Sequence, residues 1–207
     1  MVKNYQIRKM VLMCSGIVIM AISTALFCES SLGTDPYTCL NLGISRITGV
    51  PFGITQLCVS GIFLLISVSF GKHLLGIGSL LYTLSMGFLT DLFRFCISSV
   101  FSYSTLEDRA ALLLFGILFL GIGASFFFTA NCGVSSYDAL GFILTQKTHI
   151  GYRWCHISTD VICAVIGFLL GAPIGIGTLI AAIFMGPIVQ FFNKRIAVPF
   201  LNPRTRF

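Results

Sequence analysis

The sequence predicts an all-α polytopic membrane protein made of two tandem four-element repeats, with six long transmembrane helices and two short, broken or re-entrant ones. Composition is the first reason. Hydrophobic residues make up 56% of the 207, charged ones only 10%, and the mean hydropathy is +0.96, well outside soluble averages. The second is length: several runs reach the roughly 20 apolar residues needed to cross a bilayer. The third is that the chain repeats itself. Leu32-Gly33-Thr34-Asp35-Pro36-Tyr37 returns as Cys132-Gly133-Val134-Ser135-Ser136-Tyr137, and Gly76-Ile77-Gly78-Ser79 returns as Gly175-Ile176-Gly177-Thr178. Lys9 and Gly16 likewise fall on Arg109 and Gly116. Duplication in so apolar a chain marks a transporter-like fold, with any site at the repeat interface.

The first repeat occupies residues 1–100. It contains a long span over 9–28, a short helix over 35–48, and spans over 55–70 and 79–98. The second, 101–207, repeats them over 109–128, 135–148, 153–170 and 178–193, and ends in a short basic tail. Gly and Pro punctuate the joints, as in Gly49-Val50-Pro51 and Gly171-Ala172-Pro173, which suits connections rather than helix interiors. The polar stretch 98–109 joins the halves. Gly186-Pro187 should kink the last span.

The short helices decide the topology. At about 14 residues each is only ~21 Å long, against a hydrocarbon core of ~30 Å. If neither crosses, each half has three spans and the halves are inverted, with Arg46, Arg94 and Arg109 outside. If both cross, the halves run parallel and only Lys72 lies outside. The positive-inside rule favours the parallel arrangement, with both termini cytoplasmic.

The loop motifs, together with the stretch from Thr159-Asp160 through Gly175-Ile176-Gly177-Thr178 to Met185-Gly186-Pro187, resemble the YczE/YyaS/YitT family of bacterial integral membrane proteins. The resemblance spans roughly residues 8–193. It implies a multi-pass protein of the bacterial cytoplasmic membrane, of the kind often labelled a permease, and supplies no substrate, cofactor or catalytic residues. The aromatic-Asp pair after the loop glycine is present as Tyr137-Asp138; in the first half Thr38 replaces the acid.

Two places could carry chemistry. Asp35-Pro36 has the form of an N-cap followed by Pro at the first helical position, and Ser135-x-x-Asp138 that of a capping box. Capping alone accounts for them. Alternatively, two short-helix N-termini face a polar or anionic substrate, with Tyr37 and Tyr137 lining the same cavity. The simpler role for the tyrosines is interfacial anchoring. The sharper signal is Arg153, His156 and Asp160, spaced i, i+3, i+7 on one helical face with Thr159 adjacent. A carboxylate inside an apolar span must pair, protonate or face water. Aligned on the Gly-Ile-Gly motif, its first-half counterparts are Ile54, Leu57 and Gly61. The set reads either as a proton-coupling or substrate-binding dyad, or as an internal His–Asp structural pair.

Other features read as structure. Asp91 and Arg94 suit a local ion pair, and Asn41 and Gln56 suit interhelical hydrogen bonding. Gly78-Ser79 and Gly177-Thr178 suit close packing rather than a phosphate loop. Eight cysteines show no CxxC; most behave as small hydrophobes, and only Cys28 and Cys132 merit testing as a bridge.

The expected function is a secondary-transporter-like permease for a small polar or anionic solute, with no cofactor and no metal. The alternative is a non-transporting membrane scaffold or regulator, whose 21 glycines would serve tight packing with partners, a homo-oligomer included. An enzyme is not expected, since HExxH, GxSxG and metal-spaced His/Cys sets are missing. The net charge of +6 comes from basic residues at span ends, which makes the lipid bilayer the partner and not nucleic acid.

Overall fold

The computed structural model describes residues 2–100 and 105–201, and among them every regular element is helical. The first half contains α1 (Val2–Ser30), α2 (Pro36–Thr48), α3 (Phe52–Phe70) and α4 (Ile77–Val100), with a 3₁₀ turn at Lys72–Leu74. The second contains α5 (Leu106–Ala130), α6 (Ser136–Thr148), α7 (Tyr152–Leu169) and α8 (Ile176–Phe192). A π turn over Asn193–Ala197 then leads into α9 (Val198–Leu201). The polar joint between halves is shorter than expected. Thr105 and Asp108 form a reciprocal capping box that starts α5 at Leu106. Residues 101–104, and the tail beyond 201, lie outside the described residues.

Among the described residues, five helices are long and apolar enough to cross a membrane: Tyr5–Ser30, Phe52–Phe70, Ile77–Val100, Leu106–Ala130 and Ile176–Leu201. Pro187 lies inside α8 without ending it.

The packing of glycines reveals how the helices run. Gly16 of α1 lies against the backbone of Gly123 and Phe127 of α5, while Gly116 lies against Phe27. The Ser23 hydroxyl donates to the Gly116 carbonyl at 2.7 Å. As α1 ascends, α5 descends. Met13 beside Gly78 and Glu29 beside Arg94 make α1 and α4 run the same way. Leu113 beside Gly177 and Thr129 beside Asn193 do the same for α5 and α8. The halves therefore run in opposite senses, not in parallel as the charge count favoured.

The short helices explain the difference. Gly53 lies against Gly87 and Asp91, so α3 opposes α4. The tight turn at Gly49 makes α2 oppose α3, and α2 thus points the same way as α1. Residues 31–35 must carry the chain back inward before α2 begins, and α2 then retraces only part of the depth. Gly33, with φ +105°, makes this return possible; left-handed backbone costs glycine little and other residues much. A Cβ there would come within 2.7 Å of the Gly175 nitrogen, and one on Gly133 within 2.6 Å of the Gly76 nitrogen. Each return loop is clamped by the other half: Gly177 N–H donates to the Leu32 carbonyl at 3.0 Å, and Gly78 N–H to the Cys132 carbonyl at 2.8 Å. Close packing is thus what the Gly-x-Gly motifs do.

Two local expectations change. Asp91 does not pair with Arg94; its carboxylate accepts the Gly53 N–H at 2.7 Å at the start of α3. Arg94 instead reaches Glu29 at 2.9 Å. Cys28 and Cys132 are free thiols. Cys132 lies level with Gly78 and hence Met13, 15 residues along α1 from Cys28, a separation of about 22 Å that no disulfide spans.

Candidate functional site

The two short helices start at the centre of the molecule. Asp35 caps α2, its carboxylate accepting the Thr38 N–H at 3.0 Å, with Pro36 at the first position. Ser135 caps α6, its hydroxyl oxygen accepting the Asp138 N–H at 3.1 Å. The box closes through side chains, because the Ser135 hydroxyl donates to the Asp138 carboxylate at 2.6 Å. Both caps stand where the sequence placed them.

One residue into each helix, Tyr37 and Tyr137 meet. Their rings stack with centroids 4.9 Å apart, and they are 5% and 8% exposed. They form the middle of a buried cluster with Leu40, Val59 and Cys163, so interfacial anchoring is not their role. Phe63 closes over both, at 6.0 and 6.3 Å.

Each tyrosine hydroxyl is held by the third helix of one half. Tyr37 shares a hydrogen bond with Ser60 of α3, and Tyr137 donates to the Asp160 carboxylate of α7. Asp160 thus corresponds to Ser60 and not to Gly61. The connection 171–175 is one residue shorter than 71–76, so a register taken from the Gly-Ile-Gly motif slips by one upstream. The correct counterparts of Arg153, His156 and Asp160 are Gly53, Gln56 and Ser60.

His156 and Asp160 share a face but form no direct pair. His156 stacks on Tyr152, with centroids 5.4 Å apart and planes 14° apart, and its Nε2 approaches the Asp138 carboxylate at 3.9 Å. Its Nδ1 is buried without a hydrogen-bond partner. Thr159 spends its hydroxyl on the His156 carbonyl, one turn back. Arg153 is exposed at the first turn of α7 and stands apart from the centre. The structure therefore gathers Asp35, Tyr37, Ser135, Tyr137, Asp138, His156 and Asp160, with the Thr159 side chain beside Tyr137, and leaves Arg153 outside.

Sequence reasoning missed Ser60 and underrated Asn41 and Gln56. Asn41 Nδ2 donates to the Tyr37 carbonyl at 2.8 Å within α2. Its Oδ1 and Gln56 Oε1 are buried with no partner, so neither oxygen joins an interhelical hydrogen bond. A register of exactly one hundred residues in α3 and α7 was the signal that would have found Ser60.

Two depressions lie away from the centre: one of about 240 Å³ near Phe128 and Asn193, and one of about 160 Å³ between α1 and α4. Chemically the centre offers three carboxylates, a histidine, stacked phenols and neutral amide oxygens. It can accept hydrogen bonds, hold a cation or pass a proton between Asp160, Tyr137 and neighbouring groups.

A model of a family of unknown function, DUF6198, matches residues 7–194. The chain belongs to that family. Similar proteins include an uncharacterised protein of Haemophilus influenzae, 31% identical over 86% of this chain and 80% of its own length. Two come from Bacillus subtilis: the uncharacterised membrane protein YczE, 24% identical over 86% of this chain and 81% of its own, and YyaS, 22% identical over 92% and 95%. No solved structure matches the chain. With a relative, YczE, named as a membrane protein and five apolar helices among the described residues, this member of the family is a membrane protein.

Proposed function

We propose that this member of the family is a permease of the bacterial cytoplasmic membrane, built from two inverted repeats that alternately open a central site for a small polar solute. In this reading each half has three crossings and one re-entrant short helix, α7 is the sixth crossing, and both termini are cytoplasmic. The single observation that carries it is the Tyr37–Tyr137 stack, where equivalent residues of oppositely running halves meet beside a half-buried acid. Sites of inverted-repeat transporters lie at this interface, on broken or short helices.

Charge distribution supports the orientation. At the end holding the N-terminus lie Arg8, Lys9, Lys72, Lys147, Arg153, Lys194 and Arg195, with no acid among the described residues. The opposite end has Arg46, Arg94 and Arg109 together with Glu29, Asp91, Glu107 and Asp108. The positive-inside rule makes the first end cytoplasmic. Inverted repeats therefore satisfy that rule without full crossings by the short helices.

The remaining acids, Asp35, Asp138 and Asp160, are all central. No Lys or Arg among the described residues joins them, which disfavours the anionic half of the expected solute class. A neutral or cationic solute suits the site better.

Native Cys163 provides the test. It packs against the tyrosine pair and is 6% exposed. With the other seven cysteines replaced by Ala or Ser, a permease should expose Cys163 to a membrane-impermeant maleimide from both faces, in right-side-out and inside-out vesicles alike. A folded protein in which Cys163 is labelled from neither face, or from one only, would favour the scaffold.

A further inference from the structure

We infer that the centre binds a small monovalent cation, of alkali or ammonium size, between Asn41 and Gln56. The inference rests on the centre being the site and adds what occupies it.

Asn41 and Gln56 are 0% and 2% exposed. Their positions follow from the hairpin: Tyr37 meets Ser60, α2 and α3 run oppositely, and one turn onward from Tyr37 therefore lies level with one turn back from Ser60. Those residues are Asn41 and Gln56, on the tyrosine-bearing faces of their helices. In each the unpartnered atom is the carbonyl oxygen, an acceptor. Buried polar atoms are nearly always satisfied, and leaving one bare costs as much as a lost hydrogen bond. Either oxygen would be satisfied by a donor or by a positive ion.

Surrounding charge selects between them. Asp160 is bonded to Tyr137, and Asp35 and Asp138 belong to the caps of the two helices that carry the stacked tyrosines. A cation at Asn41 and Gln56 would offset carboxylates that no Lys or Arg in the described centre balances. Neutral amide and hydroxyl oxygens are hard ligands suited to alkali ions. Size follows from enclosure, because both side chains are sealed from the surface and suit a small ion. The second half could not bind the ion in the same way: Gly141 and His156 occupy the positions of Asn41 and Gln56.

The test is thermal stability of the purified full chain in detergent, at constant ionic strength, with NaCl, KCl, LiCl or NH4Cl replacing choline chloride. One of these small cations should raise the melting temperature with saturation, by about 3–6 °C at ten times its Kd. Asn41→Leu, similar in shape but lacking the acceptor, should abolish that rise, and Gln56→Met should weaken it. If Asn41→Leu does not fold, Gln56→Met carries the same comparison. Equal melting in all five salts overturns the inference, as does an undiminished cation response in both variants. The readout needs no transport. Cation binding without two-sided Cys163 labelling would sink the permease and leave the ion site standing, and the reverse result would do the opposite.

Discussion

Replacing Asp160 separates its structural work from its chemistry, because the first half already shows what the position needs for folding alone. Ser60 holds Tyr37 there, as Asp160 holds Tyr137. Asp160→Ser should therefore cost under about 1 kcal/mol, since a hydroxyl still meets the phenol. Asp160→Ala leaves the hydroxyl of a tyrosine only 8% exposed without its acceptor. That costs about 2 kcal/mol, or roughly 4–8 °C in melting temperature for a chain of this size. Asp160→Asn keeps an acceptor but removes titration, and should fall between the two. The chemical role is read from Cys163 labelling as a function of pH. If Asp160 takes up a proton during opening, the ratio of inward to outward labelling should shift with pH in the native protein and not in Asp160→Asn. His156→Gln, which copies Gln56, controls for the other titratable group one turn away. Equal destabilisation by Ser and Ala would refute the hydrogen-bond argument. An unchanged pH response in Asp160→Asn would refute the acid's role in opening.

Three further outcomes follow from the same packing. Single cysteines at 46 and 147 should be labelled from opposite faces, Arg46 from outside and Lys147 from the cytoplasm; labelling from one face would restore parallel halves. Gly33→Ala and Gly133→Ala each force a side chain into a left-handed backbone and against the neighbouring half, so each should cost about 3 kcal/mol or more and lower the yield of folded protein in detergent. Asp35→Ala should lose the α2 cap at a cost of ~1 kcal/mol while Asp35→Ser keeps it, as melting of the two variants will report; equal losses would point to the carboxylate itself.

The helices and their caps were legible because their signals are local. Asp35-Pro36 and Ser135 specify helix starts through backbone groups within three residues, and apolar runs specify spans. Chain direction was not legible, because it rests on whether a short helix crosses, and 13 residues of α2 can serve a re-entrant turn or a broken span equally well. Charge misled, because it favoured parallel halves. Lys147 and Arg46 end equivalent helices, and both arrangements concentrate basic residues on one face. Contacts between residues far apart in sequence, Gly16 against Gly123 and Gly116 against Phe27, fix the answer. The site was half legible. An acid in an apolar run announces itself, whereas Ser60, Asn41 and Gln56 resemble ordinary span polar residues until the tyrosines they surround are seen to meet.

The same reasoning explains why α7 alone of the six long helices falls short of the apolarity expected of a crossing. Its two most hydrophilic residues are Arg153 and Asp160, where its counterpart α3 has Gly53 and Ser60. The shared fold thus asks for no charge at either position. Arg153 stands at the basic end, where orientation accounts for it. Asp160 has no such account, for Ser60 performs its hydrogen bond without a charge. With Thr38, Gln56 and Ser60 in one half and Asp138, His156 and Asp160 in the other, the ionisable groups collect mainly on one side of the tyrosine stack, the capping Asp35 being the exception. Sequences break local rules chiefly at functional sites, and a repeat whose third helix carries a carboxylate and a histidine in one half only suits a site with a neutral ion-binding half and a titrating half.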